Sequence, residues 1–200
     1  MAKNVVCTDL SMAYSSNSWT YDTYSNAYAG FAGGTLYGVT ILRFTVPDFS
    51  GSSGALRVGL VMNMGIGENA ALRWALCSSD ANRERYLNTA EEVADENQVD
   101  GGIVSLAGLS SDTKMRSFSL PTKKLKGGTW YLILWAAEST GISLKAVSSD
   151  WGDHSISLDY NSGCVHIRTA DGAKRFSLYN RERKRLIPYI KTESGVKPVS

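Results

Sequence analysis

Ala55-Leu56-Arg57-Val58-Gly59-Leu60-Val61-Met62 alternates, with Leu56, Val58, Leu60 and Met62 facing one way. A period of two marks a strand with one buried face. The same rhythm recurs on both sides of it. Val39 to Val46 (VTILRFTV) is one burst, stopped by Pro47-Asp48, and Leu72, Trp74 and Leu76 alternate in the next. Further bursts run from Ile103 to Leu109, Met115 to Leu120, Thr129 to Ala137 and Gly141 to Val147. Apart from a helical turn or two at Ala90 to Asp95, nothing reads as a helix. Many short strands divided by Gly-rich turns predict an all-β chain: a jelly-roll-like antiparallel β-sandwich followed by a small β-hairpin-repeat tail. The boundaries expected are a Tyr-rich segment over 1–38 packing on the sandwich, the sandwich over 39–160, and the tail over 161–200.

The run Trp130-Tyr131-Leu132-Ile133-Leu134-Trp135 is apolar on both faces, so it belongs to a central strand whose second face is also covered. The cover is either the N-terminal segment or another subunit. Residues 11–38 hold Tyr14, Trp19, Tyr21, Tyr24, Tyr28 and Tyr37 among Ser, Asn, Gly and Ala. Such rings either plug the ends of the sandwich or form an adaptable contact surface. Residues 78–101 form a second long polar insertion of mixed charge, read mostly as solvated surface.

The chain of 200 residues is 43% hydrophobic and 20% charged, enough apolar material for one core. Its net charge of +2 argues against gripping nucleic acid through a global basic field. No apolar run approaches the roughly 18 residues that a membrane span needs. The first residues, MAKNVVCTDLSMAY, show no export signal. Cys7, Cys77 and Cys164 are odd in number and widely spaced, which fits buried reduced thiols and a reducing cytoplasm better than a disulfide framework or a zinc site.

Charge divides unevenly along the chain. Val165 to Ser200 carries nine Lys/Arg against three Asp/Glu, whereas the preceding residues carry twelve against sixteen. The tail also repeats itself. His166 to Ser177 (HIRTADGAKRFS) aligns without gaps on Tyr189 to Ser200 (YIKTESGVKPVS), and LYNRERKRLIP between them has a similar outline. This is a string of hairpins, each too small to bury a core alone. Their basic character suits either docking onto an acidic neighbour or a solvated edge that resists aggregation.

Catalytic signatures are scarce. There are only two histidines, His154 and His166, and no Gly-x-Ser-x-Gly elbow. Cys164 and His166 share a strand face but lack a second ligand pair. Gly65-Ile66-Gly67-Glu68-Asn69-Ala70 matches a dinucleotide fingerprint by letter, but Ala71 to Cys77 (ALRWALC) alternates like a strand where that fold needs a helix, so the motif reads as a hairpin turn. Acidic residues are plentiful, but nothing singles out the carboxylate pair a glycosidase requires. An aromatic platform for a pyranose is the better prospect. Trp19, Tyr86 and Trp151 lie in loop-like contexts, and Asp153 stands beside Trp151. Trp74 alternates with Leu72 and Leu76 and so faces the core. No cofactor or metal is expected.

Gly38 to Ala146 resembles the carbohydrate-binding-module-like β-sandwiches of tailed-phage virion proteins, through VTILRFTVPDFSG, LRVGLVMN, LRWALCSSD, FSLPT and KGGTWYLILWAAES followed by ISLKAV. RKRLIPYIKTESGVKPVS is similar to the apolar–turn–Lys–apolar hairpins that close many tail and fibre proteins. Those hairpins often carry a Trp before the Lys, where this chain has Val196 and Ala173. The resemblance implies a non-enzymatic virion component at the tail tip, baseplate, fibre or head surface, assembled in the host cytoplasm. Its partners would be other virion proteins, copies of itself and host surface glycan, with no nucleic acid and no membrane insertion. Docking is assigned to Arg175, Arg181, Arg183, Lys184, Arg185, Leu186, Ile187 and Tyr189, and a subunit contact to Tyr131, Ile133 and Trp135. The alternative is a carbohydrate-binding module acting mainly as an adhesin.

Overall fold

A computed structural model describes residues 2–15, 19–21, 27–32, 35–64, 71–106, 114–137, 141–144, 154–161, 164–169, 172–177, 189–192 and 195–198. Within them lie the strands β1 (Ala2–Val6), β2 (Thr8–Tyr14), β3 (Ala27–Ala32), β4 (Thr35–Gly38), β5 (Thr40–Val46), β6 (Ser52–Met64), β7 (Ala71–Cys77) and β8 (Gln98–Ser105). They continue with β9 (Lys114–Pro121), β10 (Gly128–Ala137), β11 (Gly141–Leu144), β12 (Ser155–Asn161), β13 (Cys164–Thr169), β14 (Gly172–Ser177), β15 (Tyr189–Thr192) and β16 (Gly195–Pro198). One short 3-10 turn covers Arg83–Asn88. The chain is all-β.

The strands form two antiparallel sheets stacked as a sandwich. One has the order β2-β5-β10-β7-β8. The other runs β1-β12-β6-β11-β3-β4, with β9 on the free side of β6. Each alternating burst supplies one inward row. Leu42, Leu132 and Leu76 lie opposite one another across β5, β10 and β7, and Leu56, Leu158 and Leu120 do so across β6, β12 and β9. Together with Phe44, Trp74, Val58, Leu60 and Ile156 these residues fill the space between the layers. Trp74 faces this core as its phase predicts, with 4% of its surface exposed.

The second face of β10 is covered from within the chain. The outward row Ile41–Ile133–Ala75 and the neighbouring Trp135 and Cys77 pack under Tyr86 and Val93 of the 78–97 insertion, flanked by Leu87, Trp19 and Tyr21. The insertion therefore belongs to a second, smaller core, which corrects its reading as mostly solvated surface. Ile133 and Trp135 are buried by their own chain, which leaves no apolar face there for another subunit, and Tyr131 packs half-buried at the rim. The helical turn falls at Arg83–Asn88 rather than at Ala90 to Asp95.

The first 38 residues do not simply overlay a finished sandwich. β1 joins one sheet and β2 the other, while β3 and β4 extend the larger sheet. Cys7 alone separates β1 from β2, and its N–H donates to the carbonyl of Ile156 at 2.9 Å. Just beyond it Asp9 takes a left-handed φ of 54° at the β2 bulge, a conformation that Asp tolerates better than most residues. Residues 65–70, read from sequence as a hairpin turn, lie outside the described residues.

The tail forms two hairpins, β13-β14 and β15-β16. Thr169 pairs with Gly172 and Thr192 with Gly195, so the sequence repeat is also a repeat of register.

Candidate functional site

The described residues hold a groove of about 380 Å³ on the outer face of the larger sheet. It is built from the outward positions of three adjacent strands. In one cross-strand row Ser119 of β9, Arg57 of β6 and Ser157 of β12 lie side by side; in the next row Ser117, Gly59 and Ser155 do so. Neighbouring strands stand about 4.8 Å apart, and positions i and i+2 about 6.7 Å. The result is a lattice of hydroxyls with one guanidinium.

Gly59 is the floor. A β-carbon there would lie 2.7 Å from Ser155 Oγ, 3.5 Å from Met115 Sδ and 3.7 Å from Ser117 Oγ. Only a residue without a side chain leaves the trough open. Met115, 40% exposed, and Val6, 66% exposed, add apolar surface around it.

The Arg57 end is pinned. Arg57 Nε donates to Asp159 Oδ2 at 2.6 Å, and Asn4 Nδ2 donates to Asp159 Oδ1 at 3.0 Å and to Ser157 Oγ at 3.1 Å. The amide of Asn4, then the guanidinium of Arg57, hold the Asp159 carboxyl below the usual carboxylate range against the opposing effect of its partial desolvation. Strand β6 carries this site because it is long enough for two partners on one edge: β12 pairs with its first half and β11 with its end. In the gap between them, the N–H of Val61 donates to His154 Nδ1 at 3.3 Å.

The sugar-facing aromatics expected from sequence go elsewhere. Tyr86 has no exposed surface. Its ring meets Trp135 edge-on at 4.8 Å, and its hydroxyl donates to Asp95 Oδ2 at 3.0 Å beside Cys77 Sγ at 3.6 Å. It is a packing residue, which corrects its assignment as a platform. Asp95 also accepts from Asn82 Nδ2 at 2.7 Å and from the Asn97 N–H at 2.8 Å. Burial raises the Asp95 pKa, but these donors outweigh it and leave the carboxyl below its ordinary value. Burial pushes the Cys77 thiol up to about 12. Trp19 is half-buried; its indole N–H donates to Glu84 and Arg83 lies 5.2 Å from its ring. Tyr21 donates to Asp80 at 2.5 Å and stacks under Arg43 at 4.4 Å. Trp19 and Tyr21 thus clamp the insertion to the sheet, far in the fold from the groove.

Trp151, Asp153, Arg181, Arg183, Lys184, Arg185, Leu186 and Ile187 lie outside the described residues. Arg175 sits in β14 and Tyr189 in β15. Among the described residues, no three His, Cys, Asp or Glu are grouped to hold a metal ion. Sequence reasoning missed the groove. Its signal was the pair Ser117-Phe118-Ser119 and Ser155-Ile156-Ser157, two hydroxyl alternations that flank Arg57-Val58-Gly59 only once the strands pair.

No protein family and no curated protein matches the chain. Among solved structures it is similar to the C-terminal CBM6 of LamC, a marine laminarinase from Zobellia galactanivorans, at 8% identity and a TM-score of 0.33 over 80% of this chain and 100% of that one. It is also similar to Eiger TNF from S. frugiperda, at 11% identity and a TM-score of 0.27 over 81% of this chain and 92% of that one. Likeness this distant assigns no function, and the groove itself is the stronger guide.

Proposed function

We propose that this chain is a non-enzymatic binding component whose sandwich presents the groove over Gly59 to a glycan. The observation that carries the reading is the double row of Ser117, Ser119, Ser155 and Ser157 around a floor that only glycine keeps open. Hydroxyls in a lattice exchange hydrogen bonds with a polyhydroxylated ligand, and Met115 and Val6 offer apolar contact to its C–H faces. Among the described residues the groove has one carboxylate, Asp159, at its edge, and that carboxylate is committed to Arg57 and Asn4. Glycoside hydrolysis calls for two carboxyl groups across the scissile bond, so binding fits better than cleavage.

The setting we propose is a tailed-phage virion, in which the C-terminal hairpins dock the chain into the particle. The sequence resemblance and the basic charge of the repeated hairpins support this part. A glycan array with the whole chain tests the binding function. Specific binding that is lost in Gly59→Ala supports it. Failure to bind any glycan, or binding that Gly59→Ala leaves intact, overturns it.

A further inference from the structure

We infer that the Arg57 end of the groove takes an acidic group, a carboxylate or a sulfate ester, carried on the glycan, so that the preferred ligand is an acidic polysaccharide. The inference rests on the glycan-binding reading above and adds the ligand's charge.

Arg57 is held by one nitrogen only. Nε donates to Asp159, and among the described residues neither Nη has a partner, while 64% of the side chain is exposed. The guanidinium is therefore oriented, with its outer fork unspent. A planar fork with its direction fixed loses little freedom on meeting a planar or tetrahedral anion, and it matches one through paired N–H bonds. Asp159 does not cancel this. One of its oxygens accepts from Arg57 Nε and the other from Asn4, so its charge offsets that of the guanidinium while the Nη N–H bonds stay unused, and an anion is recognised by those directed bonds rather than by surplus charge.

The flanking residues are donors as well. Ser119 and Ser157 lie opposite Arg57 on either side, and Ser157 Oγ already accepts from Asn4, which leaves its O–H to donate outward. A row that reads hydroxyl, guanidinium, hydroxyl favours an anion. The next row, roughly 6.7 Å further along β6, reads hydroxyl, glycine, hydroxyl and favours a neutral ring. The two rows divide a charged substituent from the sugar that bears it.

Calorimetry at 0.15 M NaCl with three matched hexasaccharides tests this: cellohexaose, a hexamannuronate and a sulfated galactan hexamer. The expected result is that at least one acidic hexamer binds about tenfold or more tighter than cellohexaose. Which one does so identifies carboxylate or sulfate as the group. Arg57→Gln should abolish the preference, and Arg57→Lys should keep part of it, because charge remains without the fork. Thermal melting of both variants checks that β6 still pairs. Equal binding of neutral and acidic hexamers, unchanged in Arg57→Gln but lost in Gly59→Ala, overturns this inference and leaves the glycan reading standing. Binding of none of the three overturns this inference, while the glycan reading stands or falls on the array.

Discussion

The hydroxyl of Tyr86 donates to Asp95 at 3.0 Å across the closed end of the 78–97 insertion, within a pocket that the same chain builds over Trp135. The insertion is pinned at its neck as well, where the Ser78 N–H donates to the Asn97 carbonyl at 2.9 Å. One buried ring and one carboxylate thus convert a polar loop into the lid of a second core.

Truncating that ring should be costly. Tyr86→Ala is expected to destabilise the fold by about 3–5 kcal/mol through the cavity it leaves. Tyr86→Phe keeps the volume and should cost about 1–3 kcal/mol, because Asp95 loses a donor. Urea denaturation measures both, and a smaller effect for Ala than for Phe would refute the packing role.

Acid should loosen the lid. The native pKa of Asp95 lies below its unfolded value of about 3.9. Its contribution is therefore fully present above that value and is lost as pH falls through the native one. Stability should drop as pH falls below about 4, and Asp95→Asn should flatten part of that drop. Asp159, lowered in the same direction on the other sheet, accounts for a further part. Thermal melts as a function of pH measure the slope.

The thiols of Cys7 and Cys77 should be inert while the protein is folded. Burial raises them to about 11 and about 12, so at pH 8 the thiolate fraction falls to roughly one in a thousand or less. In a Cys164→Ser background, a disulfide reagent should label neither site natively and both in denaturant. Rapid native labelling would contradict their burial.

Filling the groove should separate binding from stability. Gly59→Ala meets the Ser155 hydroxyl, the end of a rotatable side chain, so the fold should change by no more than about 1 kcal/mol. Glycan affinity should nevertheless fall by about tenfold or more, because the trough loses its floor. Paired melting and calorimetry distinguish the two effects.

Removing Val165 to Ser200 should leave a soluble sandwich, because the hairpins pair within themselves rather than into either large sheet. If the tail docks the chain, the truncated protein should be absent from purified particles. Normal incorporation would count against docking.

Alternation made the layers readable, because a period of two is imposed locally by the pleat. Leu56, Val58 and Leu60 face inward as their phase demands, and the repeat in the tail anticipated two hairpins of matching register. The double-faced strand was legible too, and so was the share of its cover that the N-terminal segment supplies through Trp19 and Tyr21, but the rest was not. Tyr86 and Val93 sit in a polar sequence, and nothing local reveals that two apolar residues in such a loop fold back on β10. The groove was invisible for a related reason. Ser119, Arg57 and Ser157 are dispersed in sequence, and only strand pairing makes them neighbours.

The passage of the chain from β1 to β2 through Cys7 has a kinetic consequence. The leading strand contributes Asn4 to the clasp on Asp159 and Val6 to the rim, so fraying of that strand and opening of the site are one equilibrium. A saccharide that fills the trough should therefore slow amide exchange along residues 2–6, while exchange in β10 stays as it was.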